Sequence, residues 1–319
     1  MPLRTSELTA LQALPCFNGI LDITLLSEGL SHTCYKVVTI NQTFFVKKLH
    51  TATANKEVFC SIISAKLKLS PIVIYHDDMW LVTDFIDSIA VANNYANSSA
   101  HYNNKKPLAL SLMSQLHQIK PIEYISEKFN NLTILDIAAT VEDLLACNNA
   151  LTTQQRTIIG EATQIIDASI ASQKSLSGTI DVLCHGDINY SNIITDIQGN
   201  SWLIDFECAQ LAPIEFDIAM FIAVNNIAVD KLDEIINEYL KLVPKHNVNT
   251  SLVLWYALAS LLINALWYLS QISDLIPSAL QIKFTVLAKQ QISTFDQLSI
   301  QNSINTPSLL SLLRTSLKH

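Results

Sequence analysis

Alternation of apolar and polar positions dominates the first 86 residues, and helical periods replace it afterwards. Leu21–Leu26, Thr33–Ile40 and Thr43–Leu49 each read as a strand, with the second turning into the third at Asn41-Gln42. A short helix over Glu7–Leu14 and a connector through Pro15 and Gly19 precede them. A helix follows over Asn55–Leu67, and Pro71 then introduces two short strands, Ile72–Tyr75 and Trp80–Ile86. Ala92–Lys106 is rich in Asn and Ser and reads as a loop or insertion. Pro107 opens an amphipathic helix, and further helical periods run through 121–150 and 151–173. Asp230–Leu242 and Leu280–Leu298 are two more helices, while the last twenty residues read as a surface helix or loose tail. The pattern predicts an α+β fold: a five-stranded antiparallel sheet with one helix in residues 1–86, then a larger, mainly helical part in residues 87–319.

One stretch departs from this plain patterning. Val182–Phe221 reads VLCHGDINYSNIITDIQGNSWLIDFECAQLAPIEFDIAMF. Asp187 is followed five residues on by Asn192, the spacing of a phosphoryl-transfer loop whose Asp meets the acceptor hydroxyl and whose Asn holds magnesium. Ile193–Thr195 and Trp202–Ile204, joined through Gly199-Asn200, read as a hairpin. That hairpin folds the chain back, so that Asn192 and Asp205 can serve one Mg2+ although thirteen positions apart. His185 is a candidate for orienting the loop by hydrogen bonds.

HGDINYSNII, LIDFECAQ and FDIAMF together resemble the aminoglycoside phosphotransferase and choline kinase superfamily, small-molecule kinases with a two-lobed, protein-kinase-like fold. The resemblance implies a nucleotide-covering lobe over 1–86 and a catalytic and acceptor-binding lobe over 87–319, with ATP between them. It implies that Gly29 and Ser31 lie in a loop over the phosphates, and it favours Lys47 over Lys48 as the phosphate-binding lysine. Strand alternation puts those two lysines on opposite faces. Glu57 is placed to pair with the lysine, although a surface glutamate on a first helical turn has the same signature. Backbone groups around Thr83 to Phe85 fit the hinge that hydrogen-bonds adenine. Asp217 buttresses the loop in the family, and His117 is structural there.

Glu207, after Asp205-Phe206, is more like choline, ethanolamine and thiamine kinases than antibiotic kinases. Where choline kinases continue with Asn-His-Phe, this chain has Met220-Phe221-Ile222, which leaves a thiamine kinase-like or other acceptor open. The implied activity is ATP-dependent phosphorylation of a small, cationic alcohol such as thiamine, choline or ethanolamine. An aminoglycoside O-phosphotransferase is the alternative enzyme, and a pseudokinase-type nucleotide-binding module the alternative of another class. Glu207 stands where protein kinases carry a glycine and no APE-like segment follows, which disfavours a protein kinase.

Composition narrows the partners. A formal net charge of −8 argues against nucleic acid and mildly favours a cationic acceptor. Six scattered cysteines with no C-x-x-C indicate neither a zinc site nor a disulfide framework, and the N-terminus lacks a signal-peptide layout; the cytoplasm is expected. Asn247–Ser273 carries no charge and is long enough to span a bilayer. Ser260, Asn264 and Gln271 nevertheless form a polar seam of the kind a buried helix shows, and no membrane span is expected. Trp255, Tyr256, Trp267 and Tyr268 on this helix could face a cation or pack in a core.

Overall fold

The computed structural model describes residues 5–26, 32–88, 99–120, 132–273 and 276–314. Gly29 and Ser31, much of the polar stretch after the hinge, and residues 121–131 of the expected helical region lie outside the described residues. The chain gathers into two compact units, Met1–Leu132 with Tyr190–Ala209, and Thr133–Asn189 with Gln210–His319. The boundary expected at 86/87 does not coincide with this division.

In the first unit, β1 (Ile20–Leu25), β2 (Cys34–Thr39), β3 (Thr43–Lys48), β4 (Val73–His76) and β5 (Trp80–Asp84) form one sheet in the order β1-β2-β3-β5-β4. All four pairings are antiparallel; short turns join β2 to β3 and β4 to β5, whereas α2 and β4 intervene between the paired strands β3 and β5. Alternation buries Tyr35 and Val37 from β2 and Phe44 and Val46 from β3 on one face. There they pack with Trp80, Val82, Leu11 of α1 (Thr5–Gln12) and Leu14 just after it. The opposite face takes α2 (Ala54–Lys66), whose Ala54 and Val58 join Leu49 and Leu81 in a second cluster. The hairpin β7 (Ile193–Thr195) and β8 (Ser201–Leu203) belongs to this unit and turns at Gly199, which has φ +89°. Asp196, almost fully buried, accepts hydrogen bonds from the backbone of Gln198 and Asn200 and from the side chains of Asn200 and Trp202, which fixes the turn.

Pro107 does not open its helix. The helix α3 runs Ser99–Leu116 with Pro107 inside it, and so begins within the stretch read as loop. Proline removes one helical N–H and does not forbid a preceding turn when tertiary contacts hold it. Lys105, one such anchor, donates from Nζ to the carbonyls of Tyr190 (2.6 Å) and Ile193 (3.0 Å).

The second unit is mainly helical: α4 (Ile137–Cys147), α5 (Thr153–Ser177), α6 (Ile214–Val224), α7 (Leu232–Leu242), α8 (Thr250–Ser270) and α9 (Ser278–Gln301). A two-stranded antiparallel ladder, β6 (Asp181–Cys184) with β9 (Gln210–Pro213), delivers the chain into α6. Helix α5 starts with a capping box, Thr152 with Gln155, and ends at Gly178 in the left-handed region. Helix α8 is the one described helix long and apolar enough to cross a membrane, and 61% of its most apolar window is buried. It packs on α4, α5, α6 and α9, which explains an apolar surface nearly all round. The chain end differs from the expected surface helix or loose tail. Leu309 and Leu312 are fully buried, and Asp296 accepts hydrogen bonds from Ser308 and from the Leu309 N–H. A short Leu-rich run has no period by which its buried side could be read.

Candidate active site

The first unit contains a cavity of about 440 Å³ whose walls include Lys47, Glu57, Thr83, Asn192 and Asp205. Five residues distant in sequence, each singled out from it, line one space. Lys47 is buried at the end of β3, and Lys48 points the other way, half-exposed, to Glu7. The Lys47 Nζ donates to Glu57 Oε1 and to Asp205 Oδ1, each at 2.6 Å. Glu57 is 1% exposed, so the surface reading of this residue is overturned. Burial works against the Lys47 charge, but the Glu57 and Asp205 carboxylates outweigh it and hold the ammonium well above its ordinary pKa. Burial pushes the Glu57 carboxyl up, and Lys47 opposes that rise.

Asp205 has φ +69°, a left-handed backbone sparsely used by residues with a Cβ but tolerated by aspartate. It opens a short 3-10 turn, Phe206–Cys208, against α2. One residue earlier, the Ile204 N–H donates to the Asn192 carbonyl (3.0 Å), so the hairpin does bring Asn192 beside the Asp205 segment. An amide oxygen and a carboxylate, with Glu207 near, are hard oxygen donors of the kind Mg2+ takes. Glu57, Asp205 and Glu207 each offer an oxygen within 4.8 Å of the others, although Lys47 already engages the first two.

Glu207 is engaged by His32, a residue the sequence reading did not single out. Burial opposes protonation of His32, yet the hydrogen bond to Glu207 prevails and raises its pKa. Burial likewise disfavours the charged Glu207, and His32 followed by Lys47 bring its pKa below the ordinary value. Lys105 was also missed, because it sits in a stretch with no helical period. Its two bonds to the Tyr190 and Ile193 carbonyls clamp the segment that carries Asn192.

At the expected hinge, Thr83 is buried and its hydroxyl donates to the Asp84 carbonyl, while Phe85 carries the Lys36 ammonium 4.5 Å over its ring. The Asp84 and Phe85 amides are committed to Ile72 and Thr43 carbonyls, so these two N–H groups are not available to a base. Phe85 is not among the residues around the cavity.

The second unit holds the His185-Gly186-Asp187 loop. Both N–H groups at its entry donate to one carboxylate: His185 N to Asp217 Oδ2 (2.9 Å) and Gly186 N to Asp217 Oδ1 (2.8 Å). Gly186 has φ +75°, which turns the chain so that successive amides face α6. Asp217 sits in the first turn of α6 and is 1% exposed, so it buttresses rather than reacts. His185 is fully buried and its Nδ1 accepts the Asp187 N–H (3.2 Å), an orienting contact. The loop's far side is held by Asn225, whose Nδ2 donates to the Ile188 carbonyl (2.8 Å). Asp187 itself is half-buried, with Asn189 donating to Oδ2 at 3.0 Å. Asp217→Ala leaves two buried N–H groups without that acceptor, each worth about 1–3 kcal/mol. A fall in urea midpoint together with turnover is expected, with Asp217→Asn in between.

The aromatic residues of α8 divide. Tyr256 is buried edge-on against Phe216, a core contact. Trp267, Tyr268 and Phe284 form a cluster with centroid separations of 5.3, 6.1 and 6.3 Å. Burial, then the charge of Asp187, pushes the Tyr268 phenol above its ordinary pKa.

Comparison with known proteins agrees with this architecture. Residues 22–243 match the family model described as "Phosphotransferase enzyme family". No curated protein matches the chain by sequence. Among solved structures, a choline/ethanolamine kinase family protein from Mesorhizobium loti is similar, with a TM-score of 0.67 and 16% identity over 97% of this chain and 99% of that one. The choline kinase of Streptococcus pneumoniae gives 0.62 and 13% identity over 90% and 97%. A spectinomycin phosphotransferase in complex with ADP and spectinomycin gives 0.60 and 16% over 92% and 99%. The shared fold is the α+β, kinase-like one expected from the sequence.

Proposed function

Because the chain belongs to the phosphotransferase enzyme family, and is thus a phosphotransferase, we propose that it moves the γ-phosphoryl group of ATP to a hydroxyl of a small cationic alcohol such as thiamine, choline or ethanolamine. The observation that carries this reading is the buried Lys47 ammonium held between Glu57 and Asp205 in a cavity also lined by Asn192. In phosphoryl transfer the protein has little covalent chemistry to do; it positions the groups and neutralises charge. Lys47 steadies the α and β phosphates, and Glu57 holds the lysine in place. In this reading residues 1–86 are the nucleotide-covering lobe, and the hinge carbonyl at Thr83, beside the cavity, receives the base. Asn192 and Asp205 are the oxygen donors for Mg2+, which when bound neutralises charge on the phosphates. Asp187 orients the acceptor hydroxyl and takes its proton, while His185 and Asp217 keep the loop in shape.

The cationic acceptor is supported by the Trp267, Tyr268 and Phe284 cluster, whose Tyr268 phenol feels the Asp187 charge. An aromatic face attracts a quaternary or thiazolium cation by about 0.5–2 kcal/mol. All six cysteines are free thiols, which fits a reducing compartment such as the cytoplasm.

The test is ADP release from magnesium-ATP against choline, ethanolamine, thiamine, homoserine and several aminoglycosides. Turnover with a cationic alcohol supports the reading. Turnover with aminoglycosides alone replaces the acceptor class, and ATP binding without turnover on any acceptor points to a nucleotide-binding module. Tyr268→Ala is expected to raise KM for the cationic acceptor about 2- to 30-fold with kcat little changed. An unchanged KM would remove the aromatic cluster from the acceptor site.

A further inference from the structure

The second unit carries another cavity, open to solvent and of about 390 Å³, which no step of phosphoryl transfer uses. It is within the size range of small-molecule sites. Its floor is apolar and buried, from Ile222, Leu261 and Leu298. One wall is a stripe of α9, Gln290, Thr294, Gln297 and Gln301, at the i, i+4, i+7, i+11 spacing of a single helix face. A run of side-chain amides and a hydroxyl there offers donors and acceptors together. Among the described residues around it, Asp230 is the one with a charge, and no lysine, arginine or histidine lines it. An anion would find no counter-charge, so phosphates and carboxylic acids are excluded.

A buried amide behind the wall braces two residues of the rim. Gln291 is 1% exposed, and its Nε2 donates to the Ala223 carbonyl (3.1 Å) and to Asn226 Oδ1 (2.9 Å). Both of those acceptor residues line the cavity, and Asn226 is held in the left-handed region at φ +50°.

We propose that this cavity binds an uncharged, polyhydroxylated molecule of pyranose size. The apolar face of such a ring matches the Leu261 and Leu298 floor, and its hydroxyls match the glutamine stripe. The site is separate from the aromatic cluster: Leu261 precedes Tyr268 by seven residues on α8, about 10 Å along the axis. It therefore goes beyond the kinase reading and does not depend on it.

Ligand-observed NMR titration of the full chain with glucose, galactose and inositol, each with and without ATP, tests the proposal. Saturable binding of at least one, unaffected by ATP, is expected, with glucose 6-phosphate excluded. The double substitution Thr294→Val and Gln297→Leu, at a half-buried and an exposed position, should weaken binding about tenfold through loss of two hydrogen bonds. Its ATP affinity and melting temperature should stay those of the parent. Absence of saturable binding, equal affinity in the double variant, or displacement by ATP would each overturn the site.

Discussion

Asp187→Asn is expected to lower turnover about 10²–10⁴-fold, the range lost with a general base, while the fold and ATP affinity stay close to those of the parent. The asparagine keeps an oxygen for the Asn189 amide that now donates to Asp187 Oδ2. The loop's shape rests on other groups, chiefly Asp217 gripping the His185 and Gly186 amides. Only the capacity to take a proton is lost. Steady-state ADP release with the best acceptor, alongside ATP titration and thermal unfolding, separates these effects. Near-parental turnover would remove Asp187 from the chemistry.

Lys47→Met should damage both function and fold. Its ammonium is the counter-charge for Glu57, which is 1% exposed. Removing one partner of a buried ion pair costs about 3–5 kcal/mol, because the other charge stays buried. A large drop in urea midpoint is expected, with ATP binding lost. The variant's deficit should shrink in acid. Burial already raises the Glu57 pKa, and without Lys47 it rises further, so the folded state holds a proton that the unfolded state has released. Stability relative to the parent therefore falls as pH increases past the ordinary carboxylate range. Adding Glu57→Leu should restore much of the midpoint but not ATP binding. If the single variant unfolds like the parent, the Lys47–Glu57 pair carries little of the stability assigned to it.

The fold was readable where burial imposes a period. Two-residue alternation marked β2 and β3, and the pairing of Tyr35 with Val46 and Val37 with Phe44 follows from one buried face. Apolar periods likewise marked α2, α7 and α9. Pro107 misled, because proline preference describes helix starts on average and Lys105 anchors a turn ahead of it. The chain end misled because Leu309 and Leu312 are buried in a 3-10 turn too short to show a period.

What the sequence determined by itself was the chemistry available: a lysine on the third strand, Asp187 and Asn192 at a fixed spacing, and Asp205 after a hairpin. Those facts are local, since neighbours in the chain stay neighbours in space. Which lysine points inward, whether Glu57 pairs or faces water, and that His32 engages Glu207 across 175 positions were decided only in three dimensions. Each depends on which surfaces become dry when the sheet and α2 close on one another. A charged side chain's burial is a property of the packed unit, not of its neighbours in sequence.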